Sequence, residues 1–224
     1  LPSSHRHYDN LTDNNSVIRW SYFDAAAVGD KCQVSGNGLY EVIGWGLNDE
    51  RASVYNNVNS TPEWEFSTVH NQGYYYNNIA ISDTGGIIAL ASFHNVYMFN
   101  RTSSTPFFNF DLTTLPQLGN ATAIDITGDG KFIVTCSSMG GVTDSTTILG
   151  FSKDSAGTVW RFQVGQVAAG GPGIQGIKMS GNDSLVIVNT YGGFYVLRTY
   201  TGQLLYQGVI NTSSSGTQSP QGIS

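Results

Sequence analysis

The sequence predicts an all-β chain built from one repeated four-stranded antiparallel unit, and three observations carry that expectation. One phrase recurs, a short alternating strand followed by a Ser/Gly/Asp turn. It reads Cys32-Gln33-Val34-Ser35-Gly36-Asn37-Gly38, Ile79-Ala80-Ile81-Ser82-Asp83-Thr84-Gly85, Ile124-Asp125-Ile126-Thr127-Gly128-Asp129-Gly130 and Ile177-Lys178-Met179-Ser180-Gly181-Asn182-Asp183. The starts lie 47, 45 and 53 residues apart, a spacing at which self-similarity marks one propeller blade per repeat. Each repeat then closes on an aromatic strand: Trp64 and Phe66, Phe108 and Phe110, Trp160 and Phe162, and Tyr206. The expected architecture is a β-propeller with strands a to d running from the channel outward.

The elements follow in chain order. Residues 1–16 form a polar N-terminal arm, and His5-Arg6-His7 within it is expected to be a solvated tail rather than a metal site. The propeller domain spans 17–224. Residues 17–23 match the outer-strand pattern of 158–162, so they are expected to form the outer strand of a partial blade. Blade one covers 31–69, with strands at 31–34, 40–45, 52–55 and 63–68. Blade two covers 76–112, with strands at 78–82, 87–93, 95–100 and 107–112. Blade three covers 121–164, with strands at 123–127, 132–137, 147–152 and 158–164. Blade four covers 174–210, with strands at 176–180, 185–190, 193–200 and 203–209. Alternation of apolar and polar residues supports each strand. The a–b turns carry Gly, Asn or Asp, which tolerate the positive φ of a tight hairpin. Residues 220–224 repeat the start of an inner strand, because Gln221-Gly222-Ile223 matches Gln175-Gly176-Ile177. Four blades and two partial blades suggest part of a larger ring of roughly seven blades, within the four to eight that propellers use. The d-strand aromatics are expected to fill the gaps that widen between neighbouring blades.

Composition narrows the function classes. Charged residues are 12% of the chain and the formal net charge is −6. With no Lys/Arg cluster, nucleic acid is not an expected partner. No apolar run approaches the roughly 18 residues of a membrane span. The chain starts at Leu1 rather than Met, which suggests a removed leader or a piece of a longer protein. Asn-x-Ser/Thr sequons begin at Asn10, Asn14, Asn59, Asn100, Asn120, Asn182 and Asn211. Composition alone predicts roughly 3.5, so the seven are a twofold excess. All seven are expected in turns, loops or the arm, where a bulky sugar can project into solvent. The expected setting is therefore extracellular or at the cell surface, with N-linked glycans attached. Cys32 and Cys136 sit in apolar slots of blades one and three, two blades apart, and are expected to be reduced and buried.

At this point the residues support a family-level likeness. Ile79-Ala80-Ile81-Ser82-Asp83-Thr84-Gly85-Gly86-Ile87-Ile88-Ala89-Leu90-Ala91 followed by Asn95-Val96-Tyr97-Met98-Phe99 resembles the WD-repeat-like and quinoprotein-like β-propeller superfamily. The resemblance covers about 17–224 and implies the fold. It departs from true WD repeats, because no Trp-Asp ends strand c and no Gly-His precedes strand a. It departs from quinoprotein dehydrogenases as well: Thr201-Gly202-Gln203-Leu204-Leu205-Tyr206 matches their docking phrase only with Tyr in place of Trp, and adjacent cysteines do not occur.

No motif in the sequence specifies a reaction. His94 is expected in a solvent-facing b–c turn, and no zinc spacing accompanies it. Thr127-Gly128-Asp129-Gly130-Lys131 aligns with ordinary turns and lacks a calcium-binding ligand ladder. Ala168-Ala169-Gly170-Gly171-Pro172-Gly173 lacks the Lys-Ser/Thr ending of a phosphate loop. Gln33, Ala80, Asp125 and Lys178 occupy equivalent inner-strand positions and are expected to line a solvated channel without composing a catalytic set. The expectation is a non-enzymatic interaction propeller without cofactor or metal, joined to a protein partner or to copies of itself in an extracellular assembly. The alternatives are a quinoprotein-like or glycan-processing enzyme completed beyond residue 224, or a carbohydrate-binding propeller using rings such as Tyr74, Tyr75 and Tyr76.

Overall fold

The computed structural model describes residues 3–8, 18–24, 28–46, 51–67, 78–115, 119–138, 146–164, 174–190 and 193–209. Four sheets of four antiparallel strands follow one another, each a simple meander. The first holds β3 (Val28–Val34), β4 (Tyr40–Gly46), β5 (Arg51–Asn56) and β6 (Trp64–Ser67). The second holds β7 (Asn78–Ile81), β8 (Ile87–Ser92), β9 (Asn95–Asn100) and β10 (Phe108–Asp111). The third holds β11 (Asn120–Ile126), β12 (Phe132–Ser138), β13 (Thr146–Ser152) and β14 (Thr158–Val164). The fourth holds β15 (Ile174–Met179), β16 (Leu185–Thr190), β17 (Gly193–Arg198) and β18 (Leu204–Val209). These are blades one to four, each with strands a to d in chain order. Their register agrees with the repeat, and one short 3-10 turn, Leu112–Thr114, follows β10.

The N-terminus differs from its expectation. Residues 3–8 were expected to be a solvated arm, yet β1 (Ser3–Tyr8) pairs antiparallel with β2 (Ile18–Asp24) in a two-stranded sheet. A lone outer strand leaves one edge of ladder groups unpaired, and β1 satisfies part of that edge. The sequence hid this because Ser3-Ser4-His5-Arg6-His7-Tyr8 has no apolar alternation to mark it. Inner strands β3, β11 and β15 also start a few residues early, beyond irregularities between Gly29 and Lys31, Ala121 and Ala123, and Ile174 and Gly176. The inner-strand expectation at 220–224 lies outside the described residues.

Three core clusters sit between blades, and a fourth, Ile43, Trp45 and Tyr55, belongs to blade one alone. Val42, Ala52 and Val54 of blade one pack with Ile79, Ile81, Ile88, Leu90 and Phe99 of blade two. Ala80, Ala89 and Met98 of blade two pack with Ile124, Ile126, Ile133, Leu149 and Phe151 of blade three. Val134, Cys136, Ile148 and Trp160 of blade three pack with Met179, Val186, Val188, Tyr195 and Leu197 of blade four. A blade between two others is covered on both faces, so its middle strands read as continuous apolar runs such as Ile87-Ile88-Ala89-Leu90-Ala91.

One turn design is repeated four times. The hydroxyl of Ser35, Ser82, Thr127 and Ser180 accepts the N–H that opens strand b, from Tyr40, Ile87, Phe132 and Leu185, at 3.0 to 3.1 Å. The fourth turn residue is left-handed: Gly38, Gly85 and Gly130 have φ near 70°, and Asp183 has φ of 58°. A non-glycine residue there is strained. Asp183 has a compensating role, because both its carboxylate oxygens accept the Gly128 N–H of blade three at 3.0 Å. The neighbouring turns are joined in the same way. Asn37 N–H donates to the Asp83 carbonyl at 2.8 Å, and Asp83 N–H donates to the Gly128 carbonyl at 2.9 Å. The expected turn at Thr127–Lys131 belongs to this chain of bonds.

Candidate functional site

The informative surface is a row of four cross-strand neighbours that recurs in every blade. In blade one the row is Gln33, Val42, Val54 and Trp64. In blade two it is Ala80, Ala89, Met98 and Phe108. In blade three it is Asp125, Val134, Gly150 and Trp160. In blade four it is Lys178, Ile187, Val196 and Tyr206. Residues that alternate along strands and pair across them share one face of a sheet. This face is the one turned toward the following blade.

The first member of the row links inner strands. Gln33 Oε1 accepts the Ile81 N–H at 3.3 Å, and Asp125 Oδ2 accepts the Met179 N–H at 2.7 Å. The expected solvated channel lining is therefore corrected at these positions. Asp125 is 4% exposed and Ala80 is fully buried, because the next inner strand lies over them. Burial pushes the Asp125 carboxyl up, and the Met179 N–H and the Lys178 ammonium, 3.6 Å away, only partly offset it.

In blades one and three the last member docks an indole on the next blade's c–d turn. Trp64 Nε1–H donates to the Arg101 carbonyl, and Trp160 Nε1–H donates to the Thr199 carbonyl at 2.8 Å. Trp160 lies in a slot made by two glycines: a Cβ on Gly150 would lie 2.3 Å from its ring and one on Gly202 would lie 2.5 Å away. Phe108 and Phe110 meet Phe151, while Phe66 meets Tyr97 and Phe99. The d-strand rings thus fill the inter-blade gaps, as their recurrence suggested.

The fourth row is different. Ile187 is 38% exposed and Tyr206 is 59% exposed, with Leu204 and Leu205 exposed beside it. The Lys178 side chain is 47% exposed. The sequence shows Tyr206 where the docking phrase has Trp, but not that Lys178, Ile187 and Tyr206 are exposed and Val196 only half-buried.

The other predicted residues are scattered. Asn59, Asn100 and Asn182 are exposed and Asn120 is half-buried. Asn120 was expected in a loop but is the first residue of β11, opposite Ser138. Asn10, Asn14 and Asn211 lie outside the described residues, as do Tyr74 to Tyr76. Both cysteines are free. Cys136 is buried, which pushes its thiol up, while Cys32 is exposed and corrects the expectation of burial. Cys32 occupies the slot of Ile79 and Ile124, but its neighbour Val34 is 53% exposed as well, so this inner edge of blade one lacks the cover that blades one and two give to the next. His94 is half-buried, its ring centroid 3.6 Å from that of Phe93. Among the described residues no group of three or more His, Cys, Asp or Glu is placed to hold a metal ion. No helix among them is long and apolar enough to cross a membrane.

Comparison with known proteins agrees on architecture. The chain is similar to the C-terminal WD40 domain of Sif2, with a TM-score of 0.65 at 13% identity, over 95% of this chain and 56% of that one. At the level of fold the chain is a WD-repeat-like β-propeller. It spans little more than half the length of that solved structure. No protein-family model matches the sequence, and no curated protein matches it.

Proposed function

We propose that the chain is a non-enzymatic interaction propeller of a secreted or surface-displayed glycoprotein, held to a second copy of itself through the blade-four row. The exposed row carries the reading. Ile187, Val196 and Tyr206 repeat the positions of Val134, Gly150 and Trp160, which a four-stranded blade covers in blade three. An apolar sheet face with a defined register is a surface that a protein partner covers. The same kind of face meets a blade three times within this chain, so the cover suited to the fourth is another blade. The matched part is 56% of the Sif2 domain, so a propeller on that plan holds further blades, and for residues 1–224 taken alone a second copy is the source that can supply them. The seven sequons support export.

Light scattering tests the assembly. A mass of two chains or more is expected for residues 1–224, with Ile187→Asp shifting it to one chain. A single-chain mass at every concentration overturns self-assembly. Intact mass before and after enzymatic deglycosylation, on protein secreted from eukaryotic cells, tests export and sugar separately. Retention inside the cell, or an unchanged mass, overturns that part.

A further inference from the structure

The described sequons are not spread evenly over the fold. In each blade the residue after strand c donates its N–H to the carbonyl just before or at the start of strand b: Asn57 to Leu39, Arg101 to Gly86, Lys153 to Lys131 and Thr199 to Ser184, at 2.9 to 3.1 Å. The a–b and c–d turns therefore share one end of the propeller, already joined from blade to blade through Asn37, Asp83, Gly128 and Asp183. Asn182 lies in the a–b turn of blade four, Asn59 in the c–d segment of blade one, and Asn100 is the last residue of strand c in blade two. All three are exposed and all three belong to that end. Asn120 belongs to the other, where Ala121 N–H donates to the Phe93 carbonyl of a b–c turn at 2.6 Å. It is half-buried in the β11–β12 ladder.

The chemistry of the amide agrees with this division. N-glycosylation joins Asn Nδ2 to the anomeric carbon of an oligosaccharide. That carbon's bond to a lipid-linked pyrophosphate breaks, the pyrophosphate leaves, and the amide releases one proton. The carbonyl Oδ1 and one N–H remain. Asn182 Oδ1 accepts from Ser180 Oγ, Ser184 N and Ser184 Oγ at 2.7 to 3.2 Å, and Asn59 Oδ1 accepts the Thr61 N–H at 3.0 Å. These bonds use the oxygen and persist when the nitrogen carries sugar, and the one bond from a nitrogen, Asn59 Nδ2 to Asn56 Oδ1, is long at 3.4 Å. Sugar on Asn120 has no such freedom, because it must leave a half-buried strand position.

We propose that N-linked sugar coats one end of the propeller, at Asn59, Asn100 and Asn182, and leaves Asn120 at the opposite end bare. This rests on the reading of the chain as an exported glycoprotein. A hydrated coat of that kind keeps proteins off the turn end and confines close approach to the sheet faces and the b–c end. Within the coat Asn59 is the least occupied, since Pro62 follows its sequon.

Site-by-site occupancy tests the asymmetry. The protein is secreted from eukaryotic cells, released from sugar by an amidase in heavy-oxygen water, and its peptides are weighed. Labelled Asp at 59, 100 and 182 with unmodified Asn at 120 is the expected result. Occupancy at Asn120 equal to that at Asn100 and Asn182, or bare Asn100 and Asn182 with sugar elsewhere, overturns the asymmetry and leaves the glycoprotein reading standing. No labelled site anywhere overturns both.

Discussion

Blades three and four present the same row of residues to opposite fates. Asp125, Val134, Gly150 and Trp160 lie under blade four, with Val134 fully buried and Trp160 8% exposed. Lys178, Ile187, Val196 and Tyr206 have the same register, and Ile187 and Tyr206 are exposed. Both rows are apolar at their centre and aromatic at their outer end. The difference is the neighbour. A sheet face becomes core when another blade removes it from water, at about 25 cal/mol per Å² of apolar surface. The two rows also differ at their inner end. Asp125 accepts a backbone N–H from the next blade, whereas Lys178 can only donate. Its ammonium lies 3.6 Å from the Asp125 carboxylate of blade three, so the inner end of the fourth row is turned back toward the blade before it.

The sharpest way to break the comparison is to remove the outer ring from each row. Trp160→Ala empties the slot between Gly150 and Gly202 and orphans the Thr199 carbonyl, so urea unfolding should show a loss of about 3–5 kcal/mol. A loss below about 1 kcal/mol, the ordinary effect of a surface change, would show that blade four does not seat on that ring. Overfilling the slot comes next. Gly150→Ala places a Cβ 2.3 Å from the indole, and the same assay should register a loss of about 1–3 kcal/mol. A neutral Gly150→Ala would place the ring elsewhere.

The inner end of the row is tested by pH. Burial raises the Asp125 carboxyl above its unfolded value, so the folded state holds that proton more tightly. Its contribution to stability is fully present below the unfolded carboxyl pKa, about 3.9, and is lost as pH rises through the higher folded value. Asp125→Asn cannot titrate, yet its Oδ1 can still accept the Met179 N–H. Its unfolding free energy should fall less steeply as pH rises from about 4, and at pH 7 it should lie within about 1 kcal/mol of the parent. Superimposable pH profiles would mean that blade four does not desolvate this carboxyl. The smallest effect is expected from Tyr206→Ala, under about 0.5 kcal/mol in a sample verified as single chains. A larger loss in that sample would mean that the fourth row is already covered within one chain.

Much of this was legible in the sequence because the repeat is written in turn chemistry. Ser or Thr at the first turn position and Gly at the fourth imply a hydrogen-bonded hairpin before any contact is known. Asp183 breaks the rule at the fourth position, and its reason, the Gly128 N–H of another blade, is 55 residues away. Asp125 was misread for the same cause. Alternation places its side chain on one face of a strand but does not say whether that face meets water or another strand. The strand at Ser3–Tyr8 was missed because pairing with β2, not apolar periodicity, defines it. Cys32 carries the pattern of a buried slot and is exposed, since burial belongs to the pair of surfaces and not to the residue.

The sequence by itself determined the all-β class, the number and register of the four blades, their turns and the aromatic outer strands. These follow from local periodicity and from residues that stabilise or forbid particular φ values. Tertiary structure alone decided which equivalent row is core and which is surface, and which of the sequons among the described residues are exposed. Both depend on distances between segments some 50 residues apart, and apolar burial acts between faces that strand periodicity leaves indistinguishable.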